Sequence, residues 1–140
     1  MILLVEDSED DVFFMERAMR KTHLSLPMHV AHNGREALDY LQAVGKYSDR
    51  VTFPIPSLIF LDLKLPLVHG FEVLDWIKKQ PSLKSLPVAI LTSSPEDRDR
   101  EKASALGASA YLVKPPTAEV LLKTLHSLAG IDADSDSAIN

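Results

Sequence analysis

The sequence alternates short apolar runs with amphipathic stretches, and this alternation limits the chain to a small set of α/β folds. Four of the runs are almost wholly apolar: Ile2–Val5, Ser57–Leu61, Val88–Leu91 and Ala110–Val113. Met28–Ala31 is a weaker fifth run because His29 interrupts it. Apolar runs of this length are typical of parallel strands that are buried on both faces. We therefore predict five strands.

Signals for helices lie between and after these runs. The first predicted helix begins at Ser8, with Asp11 three residues later in a variant of the capping box. The other four helices are predicted to begin at the caps or first residues Asn33, Gly70, Ser94 with Pro95, and Thr117, and the third of the five to end at about Lys79. Gly107 is expected to end the fourth helix in the left-handed conformation. Five strand–helix units predict a doubly wound, five-stranded parallel sheet with helices on both faces.

Length and composition favour one soluble globular domain. The 140 residues match the usual size of one domain, of about 150 residues. We assign residues 1–129 to it and 130–140 to a short acidic, flexible tail. The net charge of -5 disfavours nucleic acid and membrane partners, and no helix-turn-helix pattern follows Leu128. The lack of cysteine excludes disulfides and thiolate metal sites. Acid follows Val5 too soon for a signal peptide, so a cytoplasmic location is expected.

Polar side chains follow the predicted strands at the edge where ligands bind in such sheets. Glu6 and Asp7 follow the first strand, Asp62 the third, Thr92 the fourth and Lys114 the fifth. Three carboxylates at one edge repel one another, and oxygen ligands of this kind suit Mg²⁺. Asp62 is then the natural nucleophile toward a phosphoryl group, with Lys114 supplying further positive charge.

Other polar residues are interpreted structurally. Glu9, Asp10 and Asp11 are assigned to compensation of the first helix dipole and are excluded from the site. His29 and His32 are predicted to point to opposite faces of a strand and are not taken as a metal pair. The connection Gln42–Pro56 is long for an α/β unit, and we expect it to form an interaction surface.

Four motifs carry a resemblance to a known family. They are LVED at Leu4–Asp7, LIFLDLKLP at Leu58–Pro66 with Gly70 after it, ILTSS at Ile90–Ser94, and AYLVKP at Ala110–Pro115. In order and spacing the chain resembles the receiver domain of two-component response regulators, from Ile2 to about Leu128. The resemblance implies the CheY-like version of the flavodoxin fold.

The resemblance also implies a set of residue roles. Asp62 would accept a phosphoryl group from the phosphohistidine of a histidine kinase. Mg²⁺ would be held by Asp7, Asp62 and the backbone carbonyl of Lys64, with Glu6 binding directly or through water. In the same family Lys114 pairs with the phosphoryl oxygens, Thr92 and Tyr111 are the switch residues, and the Lys114–Pro115 peptide bond is cis.

Finer features resemble the small response regulators that partner phytochrome-type histidine kinases. In that group the fourth helix, fifth strand and fifth helix form the face that phosphorylation remodels, and homodimers through this face are expected. Lys64 and Ser94 occupy family positions that vary and that tune the lifetime of the phosphoryl group. The expected role is signalling, with catalysis limited to self-phosphorylation and self-dephosphorylation.

Three rival functions remain open from the residues alone. A phosphatase with an aspartate nucleophile needs a second acid two residues later, where this chain has Lys64. A flavodoxin-like FMN carrier needs Ser, Thr and Gly donors after the first strand, where this chain has EDSEDD. A scaffold that kept the fold would show no Mg²⁺-dependent phosphorylation.

Overall fold

The computed structural model describes residues 1–131 and contains one parallel sheet flanked by helices. Its strands are β1 (Ile2–Val5), β2 (Met28–Ala31), β3 (Leu58–Leu61), β4 (Val88–Thr92) and β5 (Ala110–Val113). Its α-helices are α1 (Glu9–Lys21), α2 (Gly34–Gln42), α3 (Gly70–Lys79), α4 (Asp97–Ala105) and α5 (Ala118–Ala129). The predicted α/β fold with five strand–helix units is confirmed.

The strand order places the first and third strands side by side at the centre of the sheet. The order is β2-β1-β3-β4-β5, and every neighbouring pair is parallel. After β1 the chain forms β2 on one side of that strand and then crosses to form β3 on its other side. The winding direction therefore reverses between β1 and β3. Ligands bind in open α/β sheets in the crevice at the carboxyl ends of the strands where the direction reverses.

Alternate residues of the central strands fill two separate cores. Leu3 and Val5 of β1 face one core, which includes the buried residues of α2 and α3. Ile2 and Leu4 face the other core, which includes buried residues of α1 and α5. This period-two alternation explains why β1 is apolar at all four positions, and it fixes the register of the strands.

The fourth helix begins later than the sequence predicted. Ser94 and Pro95 lie before α4, whose N-cap is Glu96. The Ser94 hydroxyl donates to the Asp99 carboxylate at 2.8 Å and accepts from the Glu96 N–H at 3.4 Å, so it makes a turn ahead of the helix. The predicted end is confirmed, since Gly107 has a φ of 99° and the N–H of Ala108 bonds back to the Ala103 carbonyl.

The long connection after α2 packs against that helix. A short 3-10 helix at Gly45–Tyr47 buries the Tyr47 ring, and its hydroxyl donates to the Glu36 carboxylate at 2.7 Å. Arg50 donates to the main-chain carbonyls of Tyr40 and Leu41 at 2.9 and 2.7 Å, which ties the connection to the end of α2. Its role as an interaction surface stays a prediction.

The predicted tail lies almost wholly outside the described residues. Gly130 ends α5 in the left-handed conformation, and the N–H of Ile131 donates to the Leu125 carbonyl at 3.2 Å. Ile131 also packs against the core between the sheet, α1 and α5. Residues 132–140, which carry the rest of the predicted tail, are not described. Within residues 1–131, no helix is long and apolar enough to span a membrane.

Candidate functional site

Three carboxylates meet at the carboxyl ends of β1 and β3. Glu6 and Asp62 are buried, with 1% and 6% of their surface exposed, whereas Asp7 is exposed. Each of the three offers an oxygen within 4.8 Å of the others. The sheet ladder continues into the site, because the N–H of Asp62 donates to the Val5 carbonyl at 3.1 Å. The structure therefore brings together the three acids that the sequence grouped.

Lys114 places its ammonium group against two of these carboxylates, those of Glu6 and Asp62. It follows β5, and its N–H donates to the Thr92 carbonyl at 2.8 Å. Nζ forms ion pairs with Glu6, with Asp11 at 2.8 Å and with Asp62 at 3.3 Å, and 11% of the side chain is exposed. The Lys114–Pro115 bond is cis, as the resemblance implies.

The charges of the cluster shift the pKa values of its members. Burial raises the pKa of Glu6 to about 7, the nearby Asp62 charge adds to this, and the hydrogen bond from Lys114 opposes it. Burial alone would lower the pKa of Lys114, but its bonds to Asp11 and Glu6 and the charge of Asp62 raise it above the ordinary value. Lys114 thus stays charged at neutral pH, and the acids around it still carry excess negative charge that a cation can offset.

The loop after β3 fixes the position of Asp62. The N–H of Lys64 lies 3.4 Å from Asp62 Oδ1, and the N–H of Gly70 donates to the Leu63 carbonyl at 3.0 Å. A Cβ at position 70 would lie 2.3 Å from the Asp62 carbonyl oxygen and 2.6 Å from Leu63 Cα. Glycine is therefore required where α3 begins, because any side chain there would push the Asp62 main chain out of place.

Thr92 and Tyr111 are both linked to Ser94. Thr92 is fully buried, and its hydroxyl accepts from the N–H of Ser94 at 3.3 Å. The Tyr111 hydroxyl donates to the Ser94 carbonyl at 2.7 Å, and the guanidinium carbon of Arg100 lies 4.6 Å from the centre of the tyrosine ring. A movement of the threonine hydroxyl would therefore disturb the same residue that holds the tyrosine.

The exclusion of Asp11 from the site was wrong. Glu9 and Asp10 stay exposed in the first turn of α1, as expected, but the Asp11 carboxylate binds the Lys114 ammonium. The sequence holds no local signal for this contact, because it depends on how the start of α1 packs against the residue that follows β5.

His29 lies away from the site, in an aromatic cluster. The His29 ring packs against Tyr40, Tyr47 and Phe53, with ring centroids 5.0, 5.6 and 5.8 Å away. Among the described residues, Glu6, Asp7 and Asp62 form the group of three potential metal ligands whose oxygens lie within 4.8 Å of one another.

Comparison with known proteins agrees with this geometry. The response regulator receiver domain model matches residues 2–126. This chain belongs to that family. The receiver family acts in two-component signalling, and the strand order given above is that of its CheY-like fold.

Similar proteins include response regulator Rcp1 and two response regulators whose descriptions name a phytochrome or bacteriophytochrome. Response regulator Rcp1 of Synechocystis sp. is 34% identical over 91% of this chain and 85% of its own length. The structure of the Mn²⁺-bound form of Rcp1 has a TM-score of 0.77 and 32% identity, over 93% of this chain and 95% of that one. The bacteriophytochrome response regulator AtBRR has a TM-score of 0.82 with 40% identity over 94% of both chains. The phosphorylated cyanobacterial phytochrome response regulator RcpA has a TM-score of 0.76 with 31% identity, over 98% of this chain and 94% of that one.

Proposed function

We propose that this chain accepts a phosphoryl group on Asp62 from the phosphohistidine of a histidine kinase. The observation that carries the proposal is the Lys114 ammonium held 3.3 Å from the Asp62 carboxylate, whose oxygens lie close to those of Glu6 and Asp7. A buried carboxylate paired with a cation at the ligand-binding edge of the sheet can attack an electrophile and have the product charge balanced in place. The phosphorylated form of RcpA supports the same chemistry by similarity.

The transfer needs few groups from the protein. A carboxylate oxygen of Asp62 attacks the phosphorus atom, a P–O bond forms, and the bond from phosphorus to the imidazole nitrogen breaks. The electron pair of that bond leaves with the imidazole of the kinase, which takes a proton from solvent. Lys114 lies where it can pair with a phosphoryl oxygen, and charge-assisted bonds of this kind are about twice as strong as neutral ones.

The acidic residues fit a Mg²⁺ ion. Glu6, Asp7 and Asp62 provide only oxygen ligands, within 4.8 Å of one another, and the backbone carbonyl of Lys64 is proposed as a further ligand. The Mn²⁺-bound form of Rcp1 supports a divalent ion in this family. When bound, the ion would neutralise carboxylate and phosphoryl charge. Asp62 serves in this arrangement both as ligand and as phosphoacceptor.

The signal is a change of surface. The acyl phosphate at Asp62 carries about -1.5 to -2 charges, in place of the single negative charge of the free carboxylate. We propose that the Thr92 hydroxyl then turns to a phosphoryl oxygen and gives up its bond from the Ser94 N–H, which loosens the loop that holds Tyr111. To change the ratio of active to inactive conformation from 1:99 to 99:1, phosphorylation must favour the active conformation by about 5.5 kcal/mol. Several charge-assisted bonds can supply this free energy.

The proposed partner is a histidine kinase of the phytochrome type. Its support is the similarity to AtBRR and RcpA, whose descriptions name phytochrome systems. The responding face is formed by α4, β5 and α5, where Val113 and Val120 are 39% and 37% exposed. We propose homodimerisation through this face, a cytoplasmic location, and no turnover of substrates beyond the transfer and hydrolysis of its own phosphoryl group.

Intact mass spectrometry after incubation with acetyl phosphate tests the proposal. The natural chain is expected to gain one phosphoryl group with Mg²⁺ and none without it, and Asp62→Asn is expected to gain none. Circular dichroism on the same samples confirms that both proteins are folded. No gain in a folded natural chain would instead favour a scaffold, and steady release of inorganic phosphate from unrelated monoesters would favour a phosphatase.

A further inference from the structure

We infer that Asp11 is a positioning residue for phosphotransfer, which holds the Lys114 ammonium against Asp62. The inference rests on the proposed function and adds a residue to it. It follows from three contacts at one atom. The Lys114 Nζ lies 2.8 Å from Asp11, 3.3 Å from Asp62 and in contact with Glu6, and an ammonium has three N–H donors for these three acceptors.

The contacts with Asp11 and Asp62 are compatible with each other. Both are present in the same structure, so Lys114 does not leave Asp62 in order to reach Asp11. Asp11 approaches from α1, where the Asp11 side chain is 35% exposed, while the Asp62 side chain is 8% exposed. The Lys114 ammonium thus lies between the more exposed carboxylate of Asp11 and the more buried carboxylate of Asp62. The bond to Asp11 restricts the motion of the flexible Lys114 side chain.

Asp11 is suited to this role because it is outside the proposed metal cluster. That cluster consists of Glu6, Asp7 and Asp62. Carboxylates that bind a cation have less charge left for Lys114, so Asp11 becomes its principal anchor when the metal site is filled. The helix start also fixes the Asp11 backbone, since its N–H donates to the Ser8 hydroxyl at 3.3 Å. This N-cap bond stabilises the first turn of α1, which carries the Asp11 side chain.

Removal of the anchor should slow the transfer. With acetyl phosphate and Mg²⁺, Asp11→Ala is expected to lower the phosphorylation rate roughly tenfold, because the Lys114 ammonium is no longer held next to the Asp62 carboxylate. Asp11→Asn keeps an oxygen acceptor without the charge, so its phosphorylation rate is expected to lie between those of Asp11→Ala and the natural chain. Asp11→Glu restores the charge and is expected to recover part of the rate. Asp10→Ala is the matched control, because it removes an exposed acid from the same helix turn.

A second readout does not depend on phosphorylation. A short pulse of reductive methylation, read by mass spectrometry of peptides, reports how accessible each lysine amine is. Lys114 is expected to react several times faster in Asp11→Ala than in the natural chain, and to react at the natural rate in Asp10→Ala. Lys123, on the exposed surface of α5, serves as the internal reference.

The two readouts separate this inference from the proposed function. A folded natural chain that takes no phosphoryl group would overturn the proposed function, while the labelling result would still show whether Asp11 holds Lys114. Unchanged labelling in Asp11→Ala would overturn the inference. So would a phosphorylation rate equal to that of Asp10→Ala, and so would a faster rate, since it would mean that Asp11 withholds the lysine from the reaction.

Discussion

Gly70→Ala is expected to impair phosphorylation through a clash with the main chain of Asp62. The added Cβ would lie 2.3 Å from the Asp62 carbonyl oxygen and 2.6 Å from Leu63 Cα. Real Cβ atoms essentially never come closer than 3.0 Å, so one side must move by about 0.7 Å. Both neighbours are backbone atoms at the end of a buried strand, and no flexible side chain can absorb the shift.

The expected cost follows from two opposing effects. Overpacking of this kind costs about 1–3 kcal/mol, whereas replacing glycine by alanine gains about 0.4–1 kcal/mol from the unfolded state. Because Gly70 does not adopt a positive φ, that gain applies. The difference is a net loss of up to about 2.6 kcal/mol, which lowers the melting temperature by up to roughly 9 °C in a domain of this size. A shift of about 0.7 Å at the acceptor should slow phosphotransfer at least tenfold.

Gly34→Ala is the matched control for this prediction. It also adds a Cβ at the first residue of a helix, 2.1 Å from the Val68 carbonyl oxygen. Both variants should lose stability in urea unfolding, but only Gly70→Ala should show the large loss of phosphorylation by acetyl phosphate and Mg²⁺. A destabilised Gly70→Ala that is phosphorylated at the natural rate would refute the link between Gly70 and the placement of Asp62.

Three further predictions concern the switch, the buried histidine and the loop after α2. Thr92→Ala should keep phosphorylation of Asp62 but weaken the change at Tyr111, and a natural response by tyrosine-selective NMR would contradict the switch. Burial lowers the pKa of His29 below 6.5, so the unfolded chain binds more protons below about pH 6.5. The free energy of unfolding should therefore fall as pH falls through that range, and it should fall less in His29→Phe. The same dependence of unfolding free energy on pH in both proteins, measured by urea unfolding, would count against this. Arg50→Ala removes three bonds to main-chain carbonyls and should cost about 2 kcal/mol without loss of phosphorylation; unchanged unfolding would argue against this role.

The fold was largely predictable because its strongest signals are local. Runs such as Ile2–Val5 are short and have apolar residues at every position, which is typical of a strand with a core on each face. The start of α4 was not predictable from Ser94 and Pro95, because the Ser94 hydroxyl binds Asp99 and its carbonyl binds Tyr111. That choice depends on a residue from β5, and local capping signals do not contain such contacts.

The site was predictable to the extent that its residues follow strands. Glu6, Asp62 and Lys114 could be grouped because parallel strands end at one edge. Asp11 was missed because an acid in a first helix turn also stabilises the helix dipole, and the sequence cannot separate the two roles. Only the position of the helix relative to Lys114 decides between them.

The most direct test of the account is the chemical identity of the phosphorylated residue. An acyl phosphate on aspartate is reduced by borohydride to homoserine, which peptide mass spectrometry locates. After acetyl phosphate and Mg²⁺, we expect homoserine at position 62 alone and none in the sample without Mg²⁺. A phosphoryl group gained without homoserine at 62, or with the reduced residue at Asp7 or Asp11, would contradict the assignment of Asp62 as the phosphoacceptor.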